Sequence, residues 1–385
     1  MDFDLSEEQS LIRDTARRIA GDRVAPLAAM LDRGEGREAF LENLKLLAEN
    51  GFMGLNVRAD YGGTEAGAVS FALSVEEIGA ACASTGVTLS VTNMVGEVIQ
   101  AIGSEEQRRA HLPKLCDGSY PAGAFCLTEA GAGSDPSAMT ARAERSGNGW
   151  VLNGSKLYIS SAEYAGVFIV WAVTDKAAPR GKGISCFLVP AGTPGMTIGR
   201  REDKMGQHGS ATNEVHFEDC RLPADAMMGT ENDGFRIAVS ELAGGRIGIA
   251  SLALGIARAA MAAAKAYVVE RQQFGRKIAD MQGVQWMIAD RETELEAARL
   301  LILQAAFLKD AGRPFAKAAS MAKLYSTEAA QRATYTALQL FGGAGYLKDN
   351  PLERLARDAR ITTIYEGTSE IQRLIIAREV MREVG

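Results

Sequence analysis

Val167-Phe168-Ile169-Val170-Trp171-Ala172-Val173 is the longest apolar run in the chain, and its surroundings decide the fold. It lies between Pro121 and Pro223, a stretch that carries six of the ten prolines. Proline interrupts helices and sheet interiors but suits turns, so this middle third is expected to be strands and loops. The shorter β-type runs Trp150–Leu152, Ile184–Val189, Met196–Ile198 and Glu214–Phe217 are divided by Gly or Pro at the close spacing of a β-barrel or sandwich. On the C-terminal side no proline occurs from Ala224 to Arg313. Apolar periodicity there predicts helices over about 235–269, 282–310, 315–341, 351–357 and 369–383. Leu295, Ala298, Ile302 and Ala305 keep an apolar i, i+3, i+7, i+10 stripe. On the N-terminal side Ser6 and Gln9 make a capping box. Helical patterns continue through about 37–50, 68–81 and 86–102, broken by Gly51, Tyr61-Gly62-Gly63 and Gly103. The expectation is an α+β chain, mainly α. It has an N-terminal helical domain (1–120), a middle β-barrel or sandwich domain (121–225) and a C-terminal four-helix bundle (226–385).

Composition removes several function classes. The length of 385 residues suits two or three domains. Lys+Arg 42 against Asp+Glu 48 leaves a net charge of −6 without a basic block, so no nucleic-acid partner is expected. Five scattered cysteines without a C-x-x-C read as buried thiols in a reducing compartment. His111, His208 and His216 share no metal-ligand spacing, so no metal site is expected, and His208 and His216 read as structural. No G-x-S-x-G is present. The run at Val167–Val173 is far short of the roughly 20 residues that cross a bilayer, so no membrane insertion is expected. Met1-Asp2-Phe3-Asp4-Leu5 is acidic and amphipathic, unlike a signal or Arg-rich transit peptide. The expected location is cytoplasmic, or the mitochondrial matrix for a processed eukaryotic chain.

Taken singly, the chemical motifs are ambiguous. Phe125-Cys126-Leu127-Thr128-Glu129-Ala130-Gly131-Ala132-Gly133-Ser134-Asp135 is a small-residue loop that either cradles a cofactor or simply turns the chain. Gly149-x4-Gly154-Ser155-Lys156 has Ser and Lys in the wrong order for a phosphate loop and reads as part of a β-hairpin. Gln339-Leu340-Phe341-Gly342-Gly343-Ala344-Gly345-Tyr346 reads first as a glycine helix end. In Ile364-Tyr365-Glu366-Gly367-Thr368-Ser369-Glu370-Ile371-Gln372-Arg373, Thr368 or Ser369 can cap the following helix, and Ser369 with Gln372 fits another capping box. Glu366 is either a solvated loop acid or a general base whose pKa is raised by Ile364 and Tyr365.

In combination they are specific. The ordered set LTEAGAGSD (127–135), NGSKLYIS (153–160), GGRIGIA (244–250), ERQQFG (270–275), QLFGGAGY (339–346) and RDARITTIYEGTSEIQR (357–373) resembles the acyl-CoA dehydrogenase family over nearly the whole chain. The resemblance implies FAD as cofactor and Glu366 as catalytic base. It implies flavin contacts at Phe125, Leu127, Thr128, Gly133, Ser134, Tyr158, Ile159 and Ser160. Further FAD contacts follow at Arg271, Phe274, Gln282, Gln339, Leu340, Gly342, Gly343, Thr368 and Glu370, some made across a subunit boundary of a homotetramer. Ser134, Ala243, Arg246 and Gly367 are the implied substrate contacts. An electron-transferring flavoprotein is the implied electron acceptor.

Four positions depart from the family's pattern. Tyr158 stands where Trp is frequent and Ser160 where Thr is frequent, which keeps the aromatic face and the hydroxyl. Ala243 replaces a common polar residue. Gly245 occupies the position near which some relatives with long or branched substrates carry their base, so Glu366 is the base candidate here. The implied reaction is α,β-dehydrogenation of a short straight or branched acyl-CoA to the enoyl-CoA. The alternative on the same scaffold is an oxidase using O₂, or an elimination on a substituted acyl-CoA.

Overall fold

The computed structural model describes residues 4–383. Met1 to Phe3, part of the segment read as neither signal nor transit peptide, lie outside them, as do residues 384–385 of the third expected domain.

Six helices come first: α1 (Glu7–Ile19), α2 (Ala28–Asp32), α3 (Arg37–Glu49), α4 (Gly67–Ala81), α5 (Ala83–Ile102) and α6 (Glu105–Cys116). Ser6 and Gln9 form the reciprocal capping box that starts α1, and Ser104 with Gln107 repeats it at α6. Eight strands follow: β1 (Ala122–Cys126), β2 (Arg142–Ser146), β3 (Gly149–Ser160), β4 (Ala165–Val173), β5 (Ile184–Pro190), β6 (Met196–Arg201), β7 (Thr212–Leu222) and β8 (Met227–Met228). They make one sheet in the order β6-β7-β3-β2-β4-β5-β8, with β1 parallel to β4. Among the described residues no ladder joins β6 to β8, so the sheet is open where a barrel would close. The apolar run at Val167–Val173 is the buried centre of this sheet, between β1 and β5.

The last region contains α7 (Gly234–Glu270), the two-residue ribbon strands β9 (Gln272–Gln273) and β10 (Arg276–Lys277), and then α8 (Gln282–Asp310), α9 (Ala316–Phe341), α10 (Leu352–Arg360) and α11 (Ser369–Arg382). Helices α7, α8 and α9 pack on one another, and α10 and α11 lie against α9. Leu295, Ala298, Ile302 and Ala305 are the buried face of α8. α7 is long and apolar enough to cross a bilayer, yet its most apolar window is 78% buried inside the protein.

Two contacts lock the first helical region to the last. Gly255 lets α7 approach α4 closely, since a Cβ there would stand 2.2 Å from the Glu76 carbonyl oxygen. Burying Glu76 and Glu77 on α4 demands counter-charge. Arg258 and Arg299 supply it to Glu76, and Arg17 and Arg258 supply it to Glu77. All five cysteines are buried, and none forms a disulfide among the described residues. His208 is also structural, its Nδ1 2.9 Å from Asp32.

Candidate active site

A cavity of about 730 Å³ opens where the three regions meet. Each wall has a local cause. On the sheet side, β1 ends at Cys126 and the small-residue loop turns back over β3. The Lys156 ammonium donates to the Leu127 carbonyl at 3.2 Å, and Leu157 N–H donates to the Thr128 carbonyl at 2.9 Å. Lys156 is held in turn by Glu129 at 2.8 Å, both side chains being buried. Glu129 also accepts from Thr140 N–H, Thr140 Oγ1 and Ala141 N–H. The lysine that mimics a phosphate-loop residue is therefore an internal strut under the loop. The residues read as part of a hairpin lie in β3, the second strand of the β2–β3 hairpin.

The β3–β7 register slips between Lys156 and Ile159, and Tyr158 adopts φ +58° within that bulge. The bulge turns the Tyr158 ring outward onto the cavity wall, 66% exposed. Phe125 closes the wall against Trp171 with ring centroids 4.3 Å apart, and Trp171 Nε1 donates to the Gly234 carbonyl at the start of α7.

The opposite wall is the turn before α11. Glu366 (φ +55°) and Gly367 (φ +90°) are both left-handed, which glycine adopts freely but which strains Glu366, a conformation that fixed surroundings maintain. Gln372 Nε2 donates to the Glu366 and Gly367 carbonyls at 3.1 and 2.9 Å, and Lys323 Nζ donates to the Gly367 carbonyl at 2.7 Å. The Ser369–Gln372 capping box expected from the sequence does not form. Thr368 is the cap, Ser369 Oγ instead donates to Glu328 at 2.7 Å, and the Gln372 side chain is drawn back to the Glu366 and Gly367 carbonyls of the turn. Glu366 Oε2 is buried and has no hydrogen-bond partner, and the same holds for Arg246 Nε on α7. The carboxyl packs on Gly245, where a Cβ would come within 2.9 Å of Oε2. Burial pushes the Glu366 pKa up to about 7, with Arg246 and Lys323 opposing the rise.

The sequence candidates fall into two groups. Phe125, Leu127, Thr128, Gly133, Ser134, Tyr158, Ile159, Ser160, Arg246, Glu366 and Gly367 share the cavity. Thr368 and Glu370 begin α11 beside it. Ala243 does not line the cavity: it is buried, while Val239, Leu242, Arg246 and Ile249 carry the α7 face that does. Arg271, Phe274, Gln282, Gln339, Leu340, Gly342 and Gly343 are absent from the cavity. They lie where α7 runs into the β9–β10 ribbon and α9 ends in its glycine turn, ends joined by Tyr267 stacking on Phe341 at 4.2 Å.

Several residues here were not singled out from the sequence. Val87, Val91 and Met94 of α5 line the apolar end of the cavity. Gln207 (φ +52°) also lines it. It donates from Nε2 to the Asp358 carbonyl at 3.0 Å and to the Tyr365 hydroxyl at 3.2 Å, while its N–H donates to the Asp358 carboxylate. Asp358 is pushed up to about 6 by burial. The only sequence signal for Gln207 is a loop marked by Gly206 and Gly209.

Family models for the acyl-CoA dehydrogenase N-terminal, middle and C-terminal domains match residues 6–119, 124–220 and 232–381 in order. The chain belongs to the acyl-CoA dehydrogenase family. It is 45% identical over 384 residues to an acryloyl-CoA reductase (NADH) of Anaerotignum propionicum, covering 99% of this chain and 96% of that one. It is 44% identical over 383 residues to a short-chain specific acyl-CoA dehydrogenase of Clostridium acetobutylicum, covering 99% and 100%. The solved butyryl-CoA dehydrogenase of Megasphaera elsdenii superposes with a TM-score of 0.95 at 39% identity, covering 99% and 100%. The acyl-CoA dehydrogenase architecture thus holds across the entire described chain, with helical first and last domains and a middle β domain.

Proposed function

We propose that this acyl-CoA dehydrogenase removes two hydrogens from a short straight or branched acyl-CoA, giving the trans-2-enoyl-CoA, with Glu366 as the α-proton base. One observation carries the reading: half-buried Glu366, whose Oε2 is buried and without a hydrogen-bond partner, lines the same mainly apolar cavity as an exposed aromatic ring. The residues present suit FAD. Tyr158 offers a flat apolar face, and around Gly133 no atom lies within 4 Å of a Cβ position, so a ligand can approach that backbone. The other cavity-lining loop and strand residues, Phe125, Leu127, Thr128, Ser134, Ile159 and Ser160, would hold the ring system, with Thr368 and Glu370 beside it.

Bound at these residues, FAD would supply the two-electron acceptor for the β-hydride. The protein does the rest. An α-proton beside a thioester is far too weak an acid for an ordinary carboxylate, so the developing enolate oxygen needs donors, and the Glu366 N–H is the one this chain supplies. Apolar Val91, Met94 and Leu242 exclude water and hold the short acyl chain. Ser134, Arg246 and Gly367 contact the thioester arm. With its pKa near 7, Glu366 is a stronger base than a solvated glutamate and is about half ionised in neutral solution. It takes the α-proton as that C–H pair becomes the double bond and the β-carbon gives up its hydride.

The remaining candidates complete the proposal. Arg271, Phe274, Gln282, Gln339, Leu340, Gly342 and Gly343 are the surface that one copy lends to another copy's flavin in a homotetramer. Phe274 is 91% exposed, as such a role requires. The domains run 1–120, 121–225 and 226–385, the electron acceptor is an electron-transferring flavoprotein, and the location is cytoplasmic.

The test is bleaching of the flavin band by propionyl-, butyryl-, isobutyryl-, isovaleryl- and hexanoyl-CoA. Glu366→Gln is expected to stay yellow and to lose bleaching by at least about 10²-fold. Retained turnover in that variant would refute the base assignment.

A further inference from the structure

Lys323 is a buried cation that the mechanism above does not use. It lies inside α9 at 0% exposure, flanked by buried Ala319, Ser320, Ala322, Ser326 and Thr327. Lysine is almost never fully buried without a partner, because desolvating an ammonium is expensive. The acceptor it reaches is the Gly367 carbonyl, at 2.7 Å. That carbonyl already accepts from Gln372 Nε2, which also holds the Glu366 carbonyl. A neutral amide therefore secures the turn on one side, and what Lys323 adds is charge.

The charge is placed behind the base. Glu366 has two cations acting on it, Arg246 from α7 and Lys323 from α9, both opposing the effect of burial. Around Lys323 stand Glu366 on the turn, Glu328 on α9 and Glu370 on α11, which favour the ammonium, and Arg246, which disfavours it. Arg246 is directed at the cavity and has an orphaned Nε, so a ligand can draw its charge away, whereas Lys323 is enclosed.

We propose that Lys323 is a positioning residue for proton abstraction: its ammonium clamps the Gly367 carbonyl and supplies, from behind the turn, the fixed positive field that keeps Glu366 ionised. The proposal rests on Glu366 being the base. Burial brings the Lys323 pKa down to about 8, so the ammonium is present through the range in which Glu366 loses its proton.

The sign follows directly. Removing the cation raises the Glu366 pKa, so the acidic limb of the pH–rate profile moves to higher pH. An opposite charge in direct interaction with a carboxylate is worth about one to three pH units. A shift of one unit is a tenfold loss of rate at the acidic end of the profile.

Lys323→Met and Lys323→Gln remove the charge at similar length, the second keeping a hydrogen-bond donor, and Lys323→Arg keeps the charge. Variants that retain flavin are assayed as holoenzymes with butyryl-CoA. Flavin bleaching and deuterium wash-in at the α-carbon in D₂O are both followed against pH. The expected result is an acidic limb shifted upward by about one unit or more in a neutral variant, in both readouts, and unshifted in Lys323→Arg. A loaded neutral variant with an unmoved limb would overturn the proposal, as would an Arg variant shifted as far as the neutral ones. Glu366→Gln run in parallel separates the two failures. Turnover there overturns the base assignment and the proposal together, while an unmoved limb beside an inactive Glu366→Gln overturns the proposal alone.

Discussion

Lys156→Met tests whether the strut beneath the small-residue loop stabilises the protein as its geometry implies. Lys156 is fully buried, and its ammonium has two oxygen acceptors, the Glu129 carboxylate at 2.8 Å and the Leu127 carbonyl at 3.2 Å. Deleting it strands a carboxylate that is only 6% exposed. Breaking a buried pair from one side costs about 3–5 kcal/mol. The bonds Glu129 keeps to Thr140 and Ala141 favour the lower half of that range. At about 2 °C per kcal/mol for a chain of this size, the apparent Tm should fall by roughly 6–8 °C. The pH dependence discriminates further. Burial raises the Glu129 pKa, but Lys156 and the Thr140 bonds more than offset this and leave it lowered. That contribution is present above the unfolded carboxylate pKa and lost as pH falls through the folded value. Without Lys156, burial dominates and the folded pKa rises above the unfolded one. The penalty of the variant is then full at pH 7.5 and shrinks toward pH 5 as Glu129 takes a proton. Differential scanning fluorimetry of wild type and variant at both pH values reads this directly, and flavin absorbance reports the loop. A Tm loss under about 2 °C, or one that grows in acid, would refute the reasoning.

Two more predictions follow from the site. Gly245→Ala places a Cβ 2.7 Å from Met94 Sδ and 2.9 Å from Glu366 Oε2, so the base must move. The variant should keep its flavin while butyryl-CoA bleaching slows by roughly 10- to 100-fold, and a wild-type rate would show that the carboxyl does not need this space. Phe274→Ala removes a ring that is 91% exposed within one chain. Flavin content should fall and become dependent on protein concentration on dilution; retention equal to wild type at every concentration would show that Phe274 serves no neighbouring copy.

The legible parts of this chain were those set by neighbours within a few residues. Proline placement separated the strand-rich middle from the helices, and apolar periodicity predicted α7, α8 and α9 to within a residue or two at each end. The Ser6–Gln9 box was readable because both partners lie in one turn. β1 and β2 were missed for an equally local reason. Ala122–Cys126 is built of small residues apart from Phe125, and Arg142–Ser146 is mostly exposed and polar, so neither has the alternation that marks a strand. The ambiguity of Glu366 had the same origin: a loop acid beside two apolar residues looks alike in solvent or in a cavity.

By itself the sequence determined the three regions, most helix boundaries, the family, and the chemical type of nearly every cavity residue, because those depend on composition, short-range periodicity and ordered motifs. Tertiary structure alone decided which of the candidates meet. It divided them between one cavity and a remote surface, placed Gly245 under the carboxyl, turned Lys156 into a strut and put Lys323 behind the base. Desolvation and charge–charge energies depend on distances between segments far apart in the chain, and only packing sets those distances.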